Sequence, residues 1–123
     1  MIRASRFAYS ETVARLAKAV EDAGNTIFAV IDQAAAASSV GLDLRPTTLI
    51  LFGNPKGGTP LMAAFPLTAL DLPLKLLVWE ESGVVSVAYT PVSDIAARYN
   101  VTGMEAQIGA MDHALAALAA GVV

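Results

Sequence analysis

At 123 residues the chain has the length of one ordinary domain, and two would not fit. Hydrophobic residues make up 55% and charged residues only 15%, with a net charge of −3, so apolar surface is either exposed or covered by another chain. The absence of cysteine excludes disulfides, zinc–thiolate sites, iron–sulfur clusters and thiol catalysis; the lone histidine, His113, excludes a histidine-rich metal site within one chain, and the acidic balance lacks the basic footprint that nucleic acid needs.

Met1 to Arg6 is basic, but no apolar run of signal-peptide length follows it. No stretch approaches the roughly 20 apolar residues of a membrane span. A soluble cytoplasmic protein without metal, cofactor, nucleic-acid or membrane partner is the simplest expectation.

In chain order, residues 2–9 alternate loosely and predict a first strand. Ser10 then fits an N-cap, with Glu11 in the first helical turn. Val13, Leu16, Ala17 and Val20 follow at i, i+3, i+4 and i+7, an amphipathic helix stopped by Gly24-Asn25. Thr26 to Ile31 reads as a second strand, Ala34 to Ala37 as a helical turn ending near Gly41, and Thr47 to Phe52 as a third strand. After the breaker cluster Gly53-Asn54-Pro55-Lys56-Gly57-Gly58, Thr59 and Pro60 form a cap-then-proline start for a short helix reaching Phe65. Leu74 to Glu80 and Val84 to Tyr89 are two strands joined by a tight turn at Ser82-Gly83. Thr90-Pro91 repeats the cap device before a helix with Val92, Ile95, Ala96 and Tyr99 on its apolar stripe. Thr102 with Glu105 reads as a capping box for a last helix, lined by Met104, Ile108, Met111, Leu115 and Leu118. His113 falls about 200° around that helix from Met111 and faces solvent.

The strands do not alternate apolar with polar, as an antiparallel sheet with one wet face would. Leu49 and Leu51 oppose Ile50 and Phe52; Leu74, Leu76 and Val78 oppose Lys75, Leu77 and Trp79; Ile27, Ala29 and Ile31 oppose Phe28 and Val30. Burying one large side chain is worth roughly 1.5–3 kcal/mol, so a second apolar face calls for cover: the late helices, a ligand or another subunit. A homodimer is the first expectation, because twofold association is the commonest closed arrangement. Trp79 and Leu77 then belong to interface or core rather than to a stacking platform.

One loop has a context for binding. Glycines let backbone N–H groups approach a ligand, and a helix start carries partial positive charge. Asn54, Lys56, Gly57, Gly58 and Thr59 are therefore candidate contacts for a small anionic ligand, with Asp32, Gln33 and Tyr89 as possible neighbours. The lysine precedes the glycine pair, so neither a Walker A loop nor a dinucleotide fingerprint is present. The competing reading is a tight structural turn before a capped helix. Asp71, Lys75, Glu80 and Glu81 are further polar residues near strand ends. An enzyme would draw on Asp32, Lys75, Glu80 or Tyr89, and an interaction module would use none of them.

Gly24-Asn25-Thr26-Ile27-Phe28-Ala29, Ile31-Asp32, Gly41-Leu42 and Arg45-Pro46-Thr47-Thr48-Leu49 resemble the domain-of-unknown-function family 302. Phe52 to Met62 resembles its most specific block, and Ala69 to Lys75 with Val78-Trp79-Glu80 complete a likeness over about residues 5–100. That resemblance implies an α+β fold of β-α-β(4)-α type, similar to the TATA-binding protein. It implies a mostly antiparallel sheet with helices on one face, and often a homodimer. Here an extra C-terminal helix follows. DNA binding does not come with the architecture, because function belongs to sites. The family pattern has histidine where this chain has Gln33, and asparagine where Thr90 follows Tyr89. Glutamine neither titrates near neutral pH nor ligates metal well, so a binding role survives the change better than a catalytic one.

Overall fold

A five-stranded antiparallel sheet carries its helices on one side. The computed structural model describes all 123 residues. The chain runs β1 (Ile2–Ala4), α1 (Tyr9–Asp22), β2 (Thr26–Asp32), α2 (Gln33–Ser38), β3 (Thr47–Gly53) and α3 (Pro55–Ala64). A 3-10 turn (Pro66–Leu70) leads to β4 (Leu74–Glu81), β5 (Val84–Ala88), α4 (Val92–Arg98) and α5 (Glu105–Ala120). The strand order is β1-β5-β4-β3-β2, and every neighbouring pair is antiparallel. This is the α+β arrangement, with a mostly antiparallel sheet, that the family resemblance implies.

Parity along the strands decides which apolar residues are core. Ile50 and Phe52 of β3, Leu76 and Val78 of β4, and Val85 and Val87 of β5 point to the helices and are fully or almost fully buried. Leu16 and Val20 of α1 and Leu115 and Leu118 of α5 close over them in one cluster. The opposite set, Leu49, Leu51, Leu77 and Trp79, is half-buried and lies outside that cluster. Of the late helices, α5 packs beside α1 on the core side, and Ile95 and Arg98 of α4 border Leu49 and Leu77 of this face.

α1 is amphipathic by spacing and is tied down at its start. Tyr9 Oη hydrogen-bonds Thr48 Oγ1 on β3, and the Ser5 and Thr12 hydroxyls meet at 2.6 Å. Its wet face carries Glu11–Arg15 and Lys18–Asp22 pairs at i, i+4, solvent-screened contacts that add little to stability. The tight turn between β4 and β5 forms as Ser82-Gly83 predicts: both residues are left-handed, with φ 52° and 80°, as a two-residue hairpin of this hand demands.

Four local expectations need correction. The first strand ends at Ala4 rather than residue 9, because Ser5 Oγ accepts the Phe7 N–H and turns the chain. α1 then begins at Tyr9 after Ala8, not after a Ser10 cap. α3 begins at Pro55, not Pro60: Asn54-Pro55 is an earlier cap-then-proline pair, and Gly57, Gly58 and Thr59 lie inside the helix. Thr102 does not cap α5; left-handed Gly103 (φ 76°) sets the helix back to Glu105, whose Oε1 accepts the Gly103 N–H.

Candidate functional site

Strand register aligns the helix-free face into rows. Ile31, Leu49, Leu77, Ala88 and Ile2 are successive cross-strand partners through all five strands. The next row holds Ala29, Leu51 and Lys75, and the row on the other side holds Thr47, Trp79, Ser86 and Ala4. Lys75 is the only charged residue in these three rows. Its position follows from β4 parity, which places every odd residue from Lys75 to Trp79 on the open side.

A cavity of about 400 Å³ sits at one end of this face, within the usual range of small-molecule sites, roughly 300–1,000 Å³. Leu49, Leu77 and Ala88 form its sheet floor. Leu70 and Asp71 of the turn before β4 form one wall, and Tyr89, Thr90, Ile95 and Arg98 another. Nine of its 13 lining residues are hydrophobic, so the few polar groups fix its chemistry.

Lys75 is held by its own turn. Its Nζ donates to the carbonyls of Asp71 (3.2 Å) and Pro73 (3.0 Å). An ammonium has three donors, so one N–H remains for a ligand. Both partners are neutral oxygens, which orient the charge without cancelling it. Asp71 is engaged elsewhere: its Oδ2 accepts from Tyr99 Oη (2.7 Å) and Arg98 Nη1 (2.8 Å). The Tyr99 hydrogen bond holds the Asp71 carboxyl below its ordinary value against an opposing desolvation, with Arg98 and Lys75 adding positive charge nearby. The same bond pushes the Tyr99 hydroxyl up. The arrangement can orient an anionic group at Lys75 with an apolar body over Leu49, Leu77 and Ile95.

The eight residues that the sequence offers as ligand contacts or their neighbours fall in three places. Tyr89 lines the cavity. Asp32 and Gln33 lie at the far end of β2, where Asp32 Oδ1 caps α2 through the Ala35 N–H. Asp32 pairs with Thr48 and Thr26 with Gly53, so six residue steps separate Asp32 from the Asn54 end, about 20 Å. They are not neighbours of the loop. Asn54, Lys56, Gly57, Gly58 and Thr59 form the cap and first turn of α3. There the Lys56 N–H is taken by Asn54 Oδ1 (3.0 Å), and those of Gly57 and Gly58 by the Asn54 carbonyl (2.9 and 3.0 Å). The side chains of Lys56 and Thr59 are exposed. No three His, Cys, Asp or Glu side chains group as a metal-holding set.

Leu49 and Ile95 read in the sequence only as apolar face residues, and Arg98 has no signal there, yet all three line the cavity. Lys75 alone carried a legible signal, a lone charge inside the apolar strand Leu74-Lys75-Leu76-Leu77-Val78-Trp79. The Asp71–Arg98 pair spans 27 residues and joins a turn to a helix, which no local pattern announces.

One-sided helix cover, a five-stranded antiparallel sheet and a cavity on the bare face define an α+β domain with a site built on its sheet. The chain belongs to the family described as "Domain of unknown function DUF302", which it matches over residues 1–118. The crystal structure of an uncharacterized conserved DUF302 protein from Bacillus stearothermophilus has the same fold: the TM-score is 0.91 at 18% identity, over all of this chain and 97% of that one. Proteins named fluoride-specific ion channel FluC 1 from Brucella suis and Brucella abortus are each 39% identical over 98 residues, 79% of this chain. The chain spans only 39% and 36% of their lengths. In this chain no helix is long and apolar enough to cross a membrane.

Proposed function

We propose that the domain is a homodimeric binding module that takes a small anionic ligand in the cavity beside Lys75, a second copy covering the rest of the helix-free face. The observation that carries this reading is the spare N–H of Lys75, an uncancelled charge in a mostly apolar cavity of ligand size. The apolar row from Ile31 to Ile2 supports the covered face, because a wet surface of that composition is unfavourable. The ligand is placed at Lys75 and not at the α3 start, where the first turn's N–H groups are used by Asn54. The Brucella proteins' name speaks of ion conduction, which is not carried over to this chain.

The test is a thermal-shift titration with hexanoate on the wild type, Lys75→Met and Lys56→Ala. The melting temperature is expected to rise for the wild type and Lys56→Ala, and to stay still for Lys75→Met. A rise lost in Lys56→Ala and kept in Lys75→Met would move the site back to α3.

A second reading, a protein-interaction module, is favoured by the outer edge of β2. Phe28 and Val30 there are 56% and 51% exposed, and an apolar edge strand invites pairing with another chain. Capture of a folded partner that Val30→Lys abolishes would support it.

A further inference from the structure

Leu77 stands at the centre of the helix-free face. It belongs to β4, the middle strand of five, and to the middle of the three rows. One row to either side of it on the same strand lie Lys75 and Trp79. Only the Lys75 end carries the cavity walls, Leu70 and Asp71 on one side and Ile95 and Arg98 on another, and no residue of the Trp79 row lines the cavity. Within one chain, four residue steps of strand separate Lys75 from Trp79, about 13 Å.

The chain exposes 6827 Å², whereas a folded monomer of 12.7 kDa exposes about 6,200 Å². The excess of about 600 Å² is of the order of the roughly 800 Å² that each partner of a stable interface buries. A twofold axis through Leu77 can stack two such faces in two ways. An axis along the strands sets wall against wall and brings the two Lys75 ammonium groups together, a like-charge clash. An axis across the strands sets each walled end against the open end of the other copy. The row from Ile31 to Ile2, apolar throughout, then meets itself, and the residue that arrives over Lys75 is the partner's Trp79.

Building on the dimeric binding module above, we infer that the ligand site is completed across the interface, with the partner's Trp79 roofing the Lys75 cavity. Sheets stacked face to face lie about 10 Å apart, a gap that a lysine and an indole fill from opposite sides. The indole covers the apolar body of a ligand and offers one N–H to its anionic head. Each dimer holds two equivalent sites, and ligand binding and dimerisation strengthen each other.

Trp79 is the only tryptophan of the chain, so its emission reports the roof. The experiment refolds equal amounts of Lys75→Met and Trp79→Phe chains together from urea and titrates the mixture with hexanoate. Neither parent alone is expected to respond, since one lacks the site and the other lacks the tryptophan. In the mixture about half of the dimers carry one intact cavity under the other chain's Trp79. The expected response is about a quarter of the wild-type change at equal chain concentration. Trp79→Tyr, with excitation confined to tryptophan, replaces Trp79→Phe should that variant fail to fold. A mixture as silent as its parents while wild type responds places the signal within one chain and overturns the roof. Wild-type emission that does not move overturns it as well; a thermal shift by hexanoate that depends on Lys75 then leaves the site itself standing. If hexanoate moves neither the melting temperature nor the emission of wild type, site and roof fall together.

Discussion

The carboxylate of Asp112, midway along α5, accepts the backbone N–H of Val92 at the start of α4. It accepts the Ser93 N–H as well, at 3.2 Å. Thr90 supplies no cap there, and Pro91 occupies the N-cap position without a side-chain bond. One helix therefore caps another, 20 residues away, and α4, which carries Ile95 and Arg98, is fixed against α5. A helix this short depends on such ties.

Asp112→Ala is expected to destabilise the domain by about 1 kcal/mol, the usual cost of a lost cap. Asp112→Asn, which keeps an acceptor, is expected to cost less. Urea unfolding of the three proteins measures both differences.

Leu77 sits in the middle of the five-strand apolar row and outside the helix-covered core. Leu77→Lys is expected to leave the fold intact and turn the proposed dimer into a monomer. Light scattering over a range of concentrations reads the change, with circular dichroism to confirm folding. A wild type that stays monomeric at high concentration would remove the second copy from the proposal.

Asp71 makes stability depend on pH in a stated direction. Its carboxyl is held below its ordinary value by the Tyr99 hydrogen bond, with Arg98 and Lys75 adding to the effect. A depressed folded value contributes stability that is present above the unfolded value, about 4, and is lost as pH falls through the folded one. The melting-temperature difference between wild type and Asp71→Asn is therefore expected to be constant from pH 7 to about 5, and to shrink below about 4. Thermal melts across that range check it.

Local patterns made the layout legible. The β-branched run at Thr26, the hairpin at Ser82-Gly83 and the 3.6-residue spacing of Leu16, Val20, Leu115 and Leu118 all appear where sequence places them. Two apolar sheet faces were also readable, because parity needs only the strand. Element starts were less so. Asn54-Pro55 and Thr59-Pro60 offer the same cap-then-proline signal four to five residues apart, and the chain uses the first. The site was hidden for a different reason. Lys75, Asp71, Arg98 and Tyr89 come from a strand, a turn, a helix end and a strand end, brought together by sheet register and by the packing of α4. Glycines drew attention to the loop at Asn54, whose donors turn out to serve the helix itself.

A two-dimensional 15N–1H NMR titration of the full chain with hexanoate tests the location of the site most directly. Shift changes centred on Leu49, Lys75, Leu77, Ala88 and Tyr89, and absent in Lys75→Met, are the expected result. Changes confined to Asn54 through Thr59, or none at saturating hexanoate, would contradict a ligand site on the bare face of the sheet.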